Sequence, residues 1–346
     1  VAWADRAVER LAILGVHPDL DGAGLLDIRS TFTGLTPQGR VSAGGSCRVL
    51  ATADSWCAVN LPRPDDLDLL PAWLGVASTG DEVPWSAVTA AVSERPTDAV
   101  VDAGQELGLA VAALADERSD AQLQFRSTER AARPWLARRA GERTVARRPD
   151  EVTVVDLSSL WAGPSCARLL GRAGARIVKV ESSSRPDGSR AGDPGFHRWL
   201  HEGHELVEID FTSAEGRREL LEVVHAADVV IEGSRPRALE RLGIDPVEVV
   251  SARPGTVWVS ITGYGRCGPW RDRVAFGDDA AVAGGLVELD DDGSPMFVAD
   301  AVADPLTGVA AAALTVGALA AGGGMTVDVA LREVARSAAL GAAVVW

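Results

Sequence analysis

The stretch Val152 to Glu181, VTVVDLSSLWAGPSCARLLGRAGARIVKVE, decides the fold. Val152 to Val155 is a short β-branched run closed by Asp156, the composition of a strand buried on both faces of a parallel sheet. Ser158 and Ser159 open a turn. Gly163-Pro164 then puts proline where a first helical residue loses nothing by lacking an N–H, so a helix is predicted from near Pro164. Leu169, Leu170 and Ala173 give it an apolar stripe, Gly174 stops it, and Arg176 to Glu181 supplies the next strand. Strand, turn, helix and strand in that order begin a doubly wound α/β sheet, whose ligands sit beyond the carboxyl ends of the strands. The turn carries one glycine where a dinucleotide fingerprint needs three, and no glycine-lysine-serine or glycine-lysine-threonine follows a strand, so neither a nicotinamide site nor a phosphate loop is predicted.

Downstream, the alternation continues. Glu205–Ile209, Asp228–Glu232 and Thr256–Ile261 read as strands. Thr212-Ser213 starts a helix through Leu220 and Val224, Ala238–Leu242 and Pro246–Val250 give short helices, and two alanine-rich helices are expected at Pro305–Ala321 and Val329–Val345. Upstream, Ala4–Leu14 and Gly22–Thr33 have helical spacing, Cys47–Ala51 and Trp56–Leu61 flank a hairpin turn, and helices follow at Asp66–Leu74, Trp85–Ser93 and Thr97–Leu107. The expected organisation is a small α+β domain at 1–115, an arginine-rich linker at 116–150, and a large α/β domain at 151–346. Arg126, Arg130, Arg133, Arg138, Arg139 and Arg147 in the linker are read as a solvated helix and spacer rather than a nucleic-acid surface.

A net charge of −15 argues against nucleic acid or anionic membrane as partner. The four cysteines lie far apart without C-x-x-C spacing, which predicts free thiols in a reducing cytoplasm and no structural zinc site. His197, His201 and His204 form an H-x3-H-x2-H cluster, read as loop histidines and not metal ligands. No basic leader precedes an apolar core at the start, so no signal peptide is expected; the missing initiator methionine leaves room for an upstream start.

Several segments in order resemble the class III coenzyme A transferases, the group of formyl-CoA and carnitine CoA-transferases and α-methylacyl-CoA racemases. The matching segments are Asp156, Ala162-Gly163-Pro164, Val178-Lys179-Val180-Glu181, Pro236 to Gly243, Ser260 to Gly265, Ala303-Asp304-Pro305-Leu306-Thr307-Gly308 and Thr326 to Leu331. Weaker likenesses at Ala53-Asp54-Ser55-Trp56 and Leu107 to Ala112 resemble the small domain of the same family, here placed first, as in a permuted chain. The resemblance implies a Rossmann-like doubly wound sheet with a second, smaller α+β domain. It also implies a homodimer and an activity that moves CoA from an acyl-CoA donor to a carboxylic acid acceptor, with no permanently bound cofactor.

Taken alone, Asp304 before Pro305 reads as a helix N-cap. The resemblance adds the role of nucleophile, kept ionised by the helix end. It also implies cofactor contacts at Trp161, Ala162, His204, Arg235, Arg241 and Phe276, with Trp161 favouring an apolar acyl group. Gly44-Gly45, Gly284-Gly285 and Gly322 to Gly324 are candidate oxyanion loops. Ser182 stands where the family has a CoA-binding arginine and His204 where it has a lysine, which leaves compensation to Arg185 or Arg190. Two other readings stay open: a racemase, against which Phe276-Gly277 replaces the His-Asp base pair, and a lapsed acyl-CoA-binding paralogue.

Overall fold

The computed structural model describes residues 1–16, 19–78, 80, 82–115 and 134–341. Its centre is a seven-stranded sheet in the order β4-β12-β9-β8-β5-β6-β7. The strands are β4 (Trp135–Arg139), β5 (Thr153–Asp156), β6 (Arg176–Ser182), β7 (Glu205–Ile209), β8 (Val229–Glu232), β9 (Val257–Thr262) and β12 (Met325–Ala330). All neighbours pair in parallel except β4, which runs antiparallel to β12 at the edge. Taken along the chain, the parallel strands fall in the order 3-2-1-4-5-6, so the connections reverse direction between β5 and β8, the kind of switch point beyond which doubly wound sheets bind their ligands.

The faces of this sheet are covered differently. On one, Val154, Ile177, Val229 and Val259 pack under helices Ala162–Arg172 and Ala303–Ala320. On the other, Val155, Val178, Val230 and Trp258 pack under Ala214–Ala226 and Pro246–Ala252. Gly308 sets the fit of the first pair: a Cβ there would lie 2.7 Å from the Ala162 carbonyl oxygen and 2.7 Å from Ser165 Cβ. The two helices therefore start side by side at the carboxyl edge. Ala303–Ala320 is the only helix among the described residues long and apolar enough to cross a membrane, and 78% of it is buried in this core.

A smaller antiparallel sheet joins β1 (Cys47–Ala51), β2 (Trp56–Asn60) and β3 (Ala110–Ala113), and β10 (Val287–Leu289) pairs with β11 (Pro295–Phe297). Helices Leu70–Leu74, Trp85–Ser93 and Thr97–Glu106 supply its own core, built on Leu70, Trp73, Val88 and Val100. Helix Gly277–Ala283 links the two sheets: Val282 packs with Cys47, Val49 and Ala58, and Asp279 accepts a 2.9 Å bond from Asn60.

Packing units differ from the sequence boundaries in two places. Helices Ala2–Ile13 and Gly22–Thr33 bury Trp3, Ala7, Leu11 and Leu25 in the core of the large sheet, not the small one, because their apolar faces meet the Ala303–Ala320 helix. Residues 134–150 are not a solvated helix and spacer: β4 extends the large sheet, Arg139 donates to the Gly323 carbonyl at 2.9 Å, and Arg147 pairs with Asp228 at 2.7 Å. Arg126, Arg130 and Arg133 lie outside the described residues. The expected helix at Val329–Val345 is shorter, Leu331–Ala339, because Met325–Ala330 pairs as β12; residues 342–345 lie outside the described residues.

Candidate active site

The turn after β5 is held by buried charges. Asp156 accepts the Ser158 N–H at 2.9 Å and its hydroxyl as well. Asp187 accepts the N–H groups of Leu160 and Ser189, each at 2.9 Å. Lys179, wholly buried on β6, donates to the Ser158 carbonyl and stands 3.1 Å from Asp187 and 3.6 Å from Asp156. Burial opposes the charge on Asp187, but Lys179 and the two N–H donors hold its carboxyl down at about 2. This bracing keeps Leu160 at φ 72, a left-handed backbone uncommon for leucine, and seats Trp161 at the start of the next helix.

Trp161 is 2% exposed and packs edge-on to Phe196 with centroids 5.2 Å apart. The Arg29 guanidinium lies over its ring at 4.7 Å. Arg29 forks onto Asp300, with Nε to Oδ2 at 2.5 Å and Nη2 to Oδ1. Asp278, buried, accepts the Ala301 N–H at 2.9 Å. Ala301 sits at φ 40, and the bend there leads into the Ala303–Ala320 helix with Asp304 in its first turn.

Asp304 is thus not the N-cap: Val302 holds that place, and the helix begins two residues before Pro305. Its carboxylate turns to Gly277, whose N–H bonds to it and where a Cβ would fall 2.5 Å from Oδ2 and 2.3 Å from the Ala301 carbonyl oxygen. The helix end does not keep this half-buried carboxyl ionised in the usual range. Burial pushes it up to about 7; Asp278 and Asp300 add to the rise, while Arg29 and the Gly277 N–H oppose it. Asp278 is likewise pushed up to about 7 by burial and by Asp300.

The helix that follows Trp161 packs beside the helix that carries Asp304, Trp161 clusters with Ala301 and lines one cavity with Pro305, and Phe276 is the N-cap of the Gly277–Ala283 helix, whose first residue approaches Asp304. Arg235 is exposed at the carboxyl end of β8, and Arg241 is exposed in the last turn of the Pro236–Leu242 helix. His204 lies with a different group: its ring meets His201 at 5.5 Å, His201 meets His197 at 4.7 Å, and burial pushes His201 and His204 each down to about 4. No group of three or more potential ligand side chains among the described residues is arranged for a metal.

Gly322 to Gly324 fail as an oxyanion loop on distance. They follow the far end of an 18-residue helix, about 27 Å from Asp304 at a rise of about 1.5 Å per residue. Gly284 and Gly285 follow the opposite end of the helix that Gly277 begins. Arg29, Asp278 and Asp300 escaped the sequence reading, and Gly277 entered it only as a departure from the racemase base pair. The acidic pair after a glycine was a usable signal for Asp278, whereas nothing in the local sequence ties Arg29 to Asp300, 271 positions away.

Two cavities adjoin these elements. One, about 20 Å³, lies between Ile28, Trp161, Ser165, Trp199 and Pro305, room for a water. The other, about 530 Å³, is lined by Pro236, Glu240, Ser260, Arg266 and Asp328, and Asp304 is not among its walls.

Among known proteins, the chain is 31% identical over 202 residues to a succinyl-CoA–D-citramalate CoA-transferase of Chloroflexus aurantiacus, covering 53% of this chain and 49% of that protein. It is 28% identical over 179 residues to a formyl-CoA:oxalate CoA-transferase of Escherichia coli, covering 49% and 42%. A crystal structure of a CAIB/BAIF family protein from Brucella suis matches with a TM-score of 0.50 at 28% identity, over 56% of this chain and 55% of that one. The chain spans about half the length of the curated relatives it matches. Residues 150–344, more than half of the chain, match CoA-transferase family III, and the chain belongs to that family.

Proposed function

We propose that the protein transfers CoA from an acyl-CoA donor to a carboxylate acceptor, with Asp304 as nucleophile. The observation that carries this reading is the placement of a half-buried carboxylate beside the Trp161 turn, at the carboxyl edge of a doubly wound sheet. Relatives named as CoA-transferases support it. The ionised Asp304 attacks the thioester carbonyl carbon; the carbon–sulfur bond breaks and leaves an aspartyl anhydride and CoA thiolate. The thiolate then attacks the Asp304 carbonyl, frees the donor acid and leaves an aspartyl-CoA thioester. Acceptor carboxylate repeats the exchange in reverse, ending as its own CoA thioester with Asp304 restored. The Gly277 N–H, already bonded to this carboxyl, is the donor we assign to the developing oxyanion.

In this reading the sheet is a Rossmann-like CoA-binding domain, the region built on β1 to β3 is the family's small domain placed first, and the protein works as a cytoplasmic homodimer. Trp161 faces the acyl group. The cavity of about 20 Å³ holds no acyl chain, so the rings of Phe196 and Trp199 must yield when one enters. Incubation with acyl-CoA, an acceptor acid and hydroxylamine tests the reading. A hydroxamate on Asp304, absent from Asp304→Asn, is expected; transfer that survives this substitution overturns it.

A further inference from the structure

Helix Gly22–Thr33 brings a cation to the bend that precedes Asp304. Arg29 forks onto the buried carboxylate of Asp300 and lies over the Trp161 ring at 4.7 Å. Beside it, Ile28 packs in one cluster with Trp161, Phe196 and Ala301, which fixes where this helix sits. Ala301, next along the chain from Asp300, has a left-handed backbone uncommon for alanine, and such a conformation persists only where its surroundings hold it. Three groups do so: Arg29 through Asp300, Asp278 by accepting the Ala301 N–H at 2.9 Å, and Asp304, whose own N–H donates to the Ala301 carbonyl at 2.9 Å. Of these, Arg29 alone comes from outside residues 278–304.

Charge singles out the same residue. The charged groups that act on Asp304 are Asp278 on the Gly277–Ala283 helix, Asp300 on the bend and Arg29, and Arg29 is the one cation among them. Carboxyls gathered this closely drive one another toward protonation, and a guanidinium beside them opposes that. Because Asp300 already takes its fork, Arg29 acts on the site through the bend and through its charge, not by binding substrate.

We propose that Arg29 is a positioning residue for the transfer reaction: its fork on Asp300 fixes the bend that presents Asp304, and its guanidinium supplies the countercharge to that carboxyl. The N-terminal helices are then part of the active site and not a separate module. The inference rests on the reading of Asp304 as nucleophile.

Hydroxamate formation by the full chain, followed against pH, tests it. Without the guanidinium, Asp304 keeps its proton to higher pH, so the midpoint of the profile in Arg29→Gln should lie about one pH unit or more above that of the unaltered protein. Arg29→Lys keeps the charge and loses the fork, and Asp300→Asn loses the ion pair while the cation stays. Both should fall roughly tenfold or more in the high-pH plateau of the rate, with KM for acyl-CoA changing less, and neither should show the upward midpoint. An unmoved midpoint in Arg29→Gln, or an undiminished plateau in both Arg29→Lys and Asp300→Asn, overturns the proposal, even if melting temperatures drop, because a mere brace would lower those alone. Carboxyl 13C NMR, with Asp304 assigned by the resonance missing from Asp304→Asn, reads the same midpoint without turnover. If the unaltered protein forms no hydroxamate but the NMR midpoint still rises in Arg29→Gln, the transfer reading falls and the hold of Arg29 on the carboxyl stands. If hydroxamate forms and neither midpoint moves, the transfer reading stands and this inference falls.

Discussion

At the scale of the residue, the chemistry turns on two carboxyls that burial keeps protonated into the neutral range. Asp304 and Asp278 are each pushed up to about 7, chiefly by burial, and the charge of Asp278 adds to the rise at Asp304. Only ionised Asp304 can attack, so single-turnover acyl transfer is expected to rise with pH through about 7. Asp278→Asn removes a negative neighbour and should move that midpoint to lower pH, visible as a shifted pH–rate profile. Stability runs the other way. A carboxyl whose folded pKa lies above its unfolded value stabilises the fold fully below the unfolded value, and that contribution is lost as pH rises through the folded one. Melting temperature should therefore fall between about pH 4 and pH 7, and Asp278→Asn should flatten the slope. Asp304→Asn should cost on the order of 10³-fold in transfer while the protein still melts cooperatively. Gly277→Ala should lose transfer too, since its methyl would meet both the carboxylate and the Ala301 carbonyl; unchanged rates would remove the glycine from the site.

At the scale of the element, the turn after β5 depends on Lys179 more than on its own residues. Removing the ammonium leaves Asp156 and Asp187 facing each other without a countercharge, so Lys179→Met should destabilise the fold by about 3–5 kcal/mol in denaturant titration. A milder loss would mean water or a proton replaces the cation. Gly308 governs the neighbouring helix pair. Gly308→Val pushes side-chain atoms into the Ala162 carbonyl and Ser165, and overpacking of this kind costs about 1–3 kcal/mol, with transfer falling as Asp304 moves off Trp161. The Val152–Glu181 unit was legible because strand, proline-led helix and second strand each obey a local rule. The last helix was read two residues early, from Val329, because Val329 and Ala330 run into Leu331 without a break in apolar character; only pairing with β9 and β4 selects the extended form there.

At the scale of the whole molecule, the two N-terminal helices belong to the large sheet and carry Arg29 into the site. Leu11→Ala, at a wholly buried position against that core, should cost about 2–5 kcal/mol and lower the melting of the molecule as a unit; a transition confined to the β1–β3 region would contradict this packing. Period, punctuation and short motifs determined the α/β class, the order of most strands and the placement of Asp304 near a helix start, because each depends on neighbours a few positions away. Tertiary structure alone decided that Arg29 meets Asp300, that Gly277 faces Asp304, that β4 closes the sheet edge, and that Asp304 and Asp278 titrate near neutrality. Those outcomes depend on desolvation and on contacts across hundreds of positions, and neither quantity is written in any local stretch of the chain.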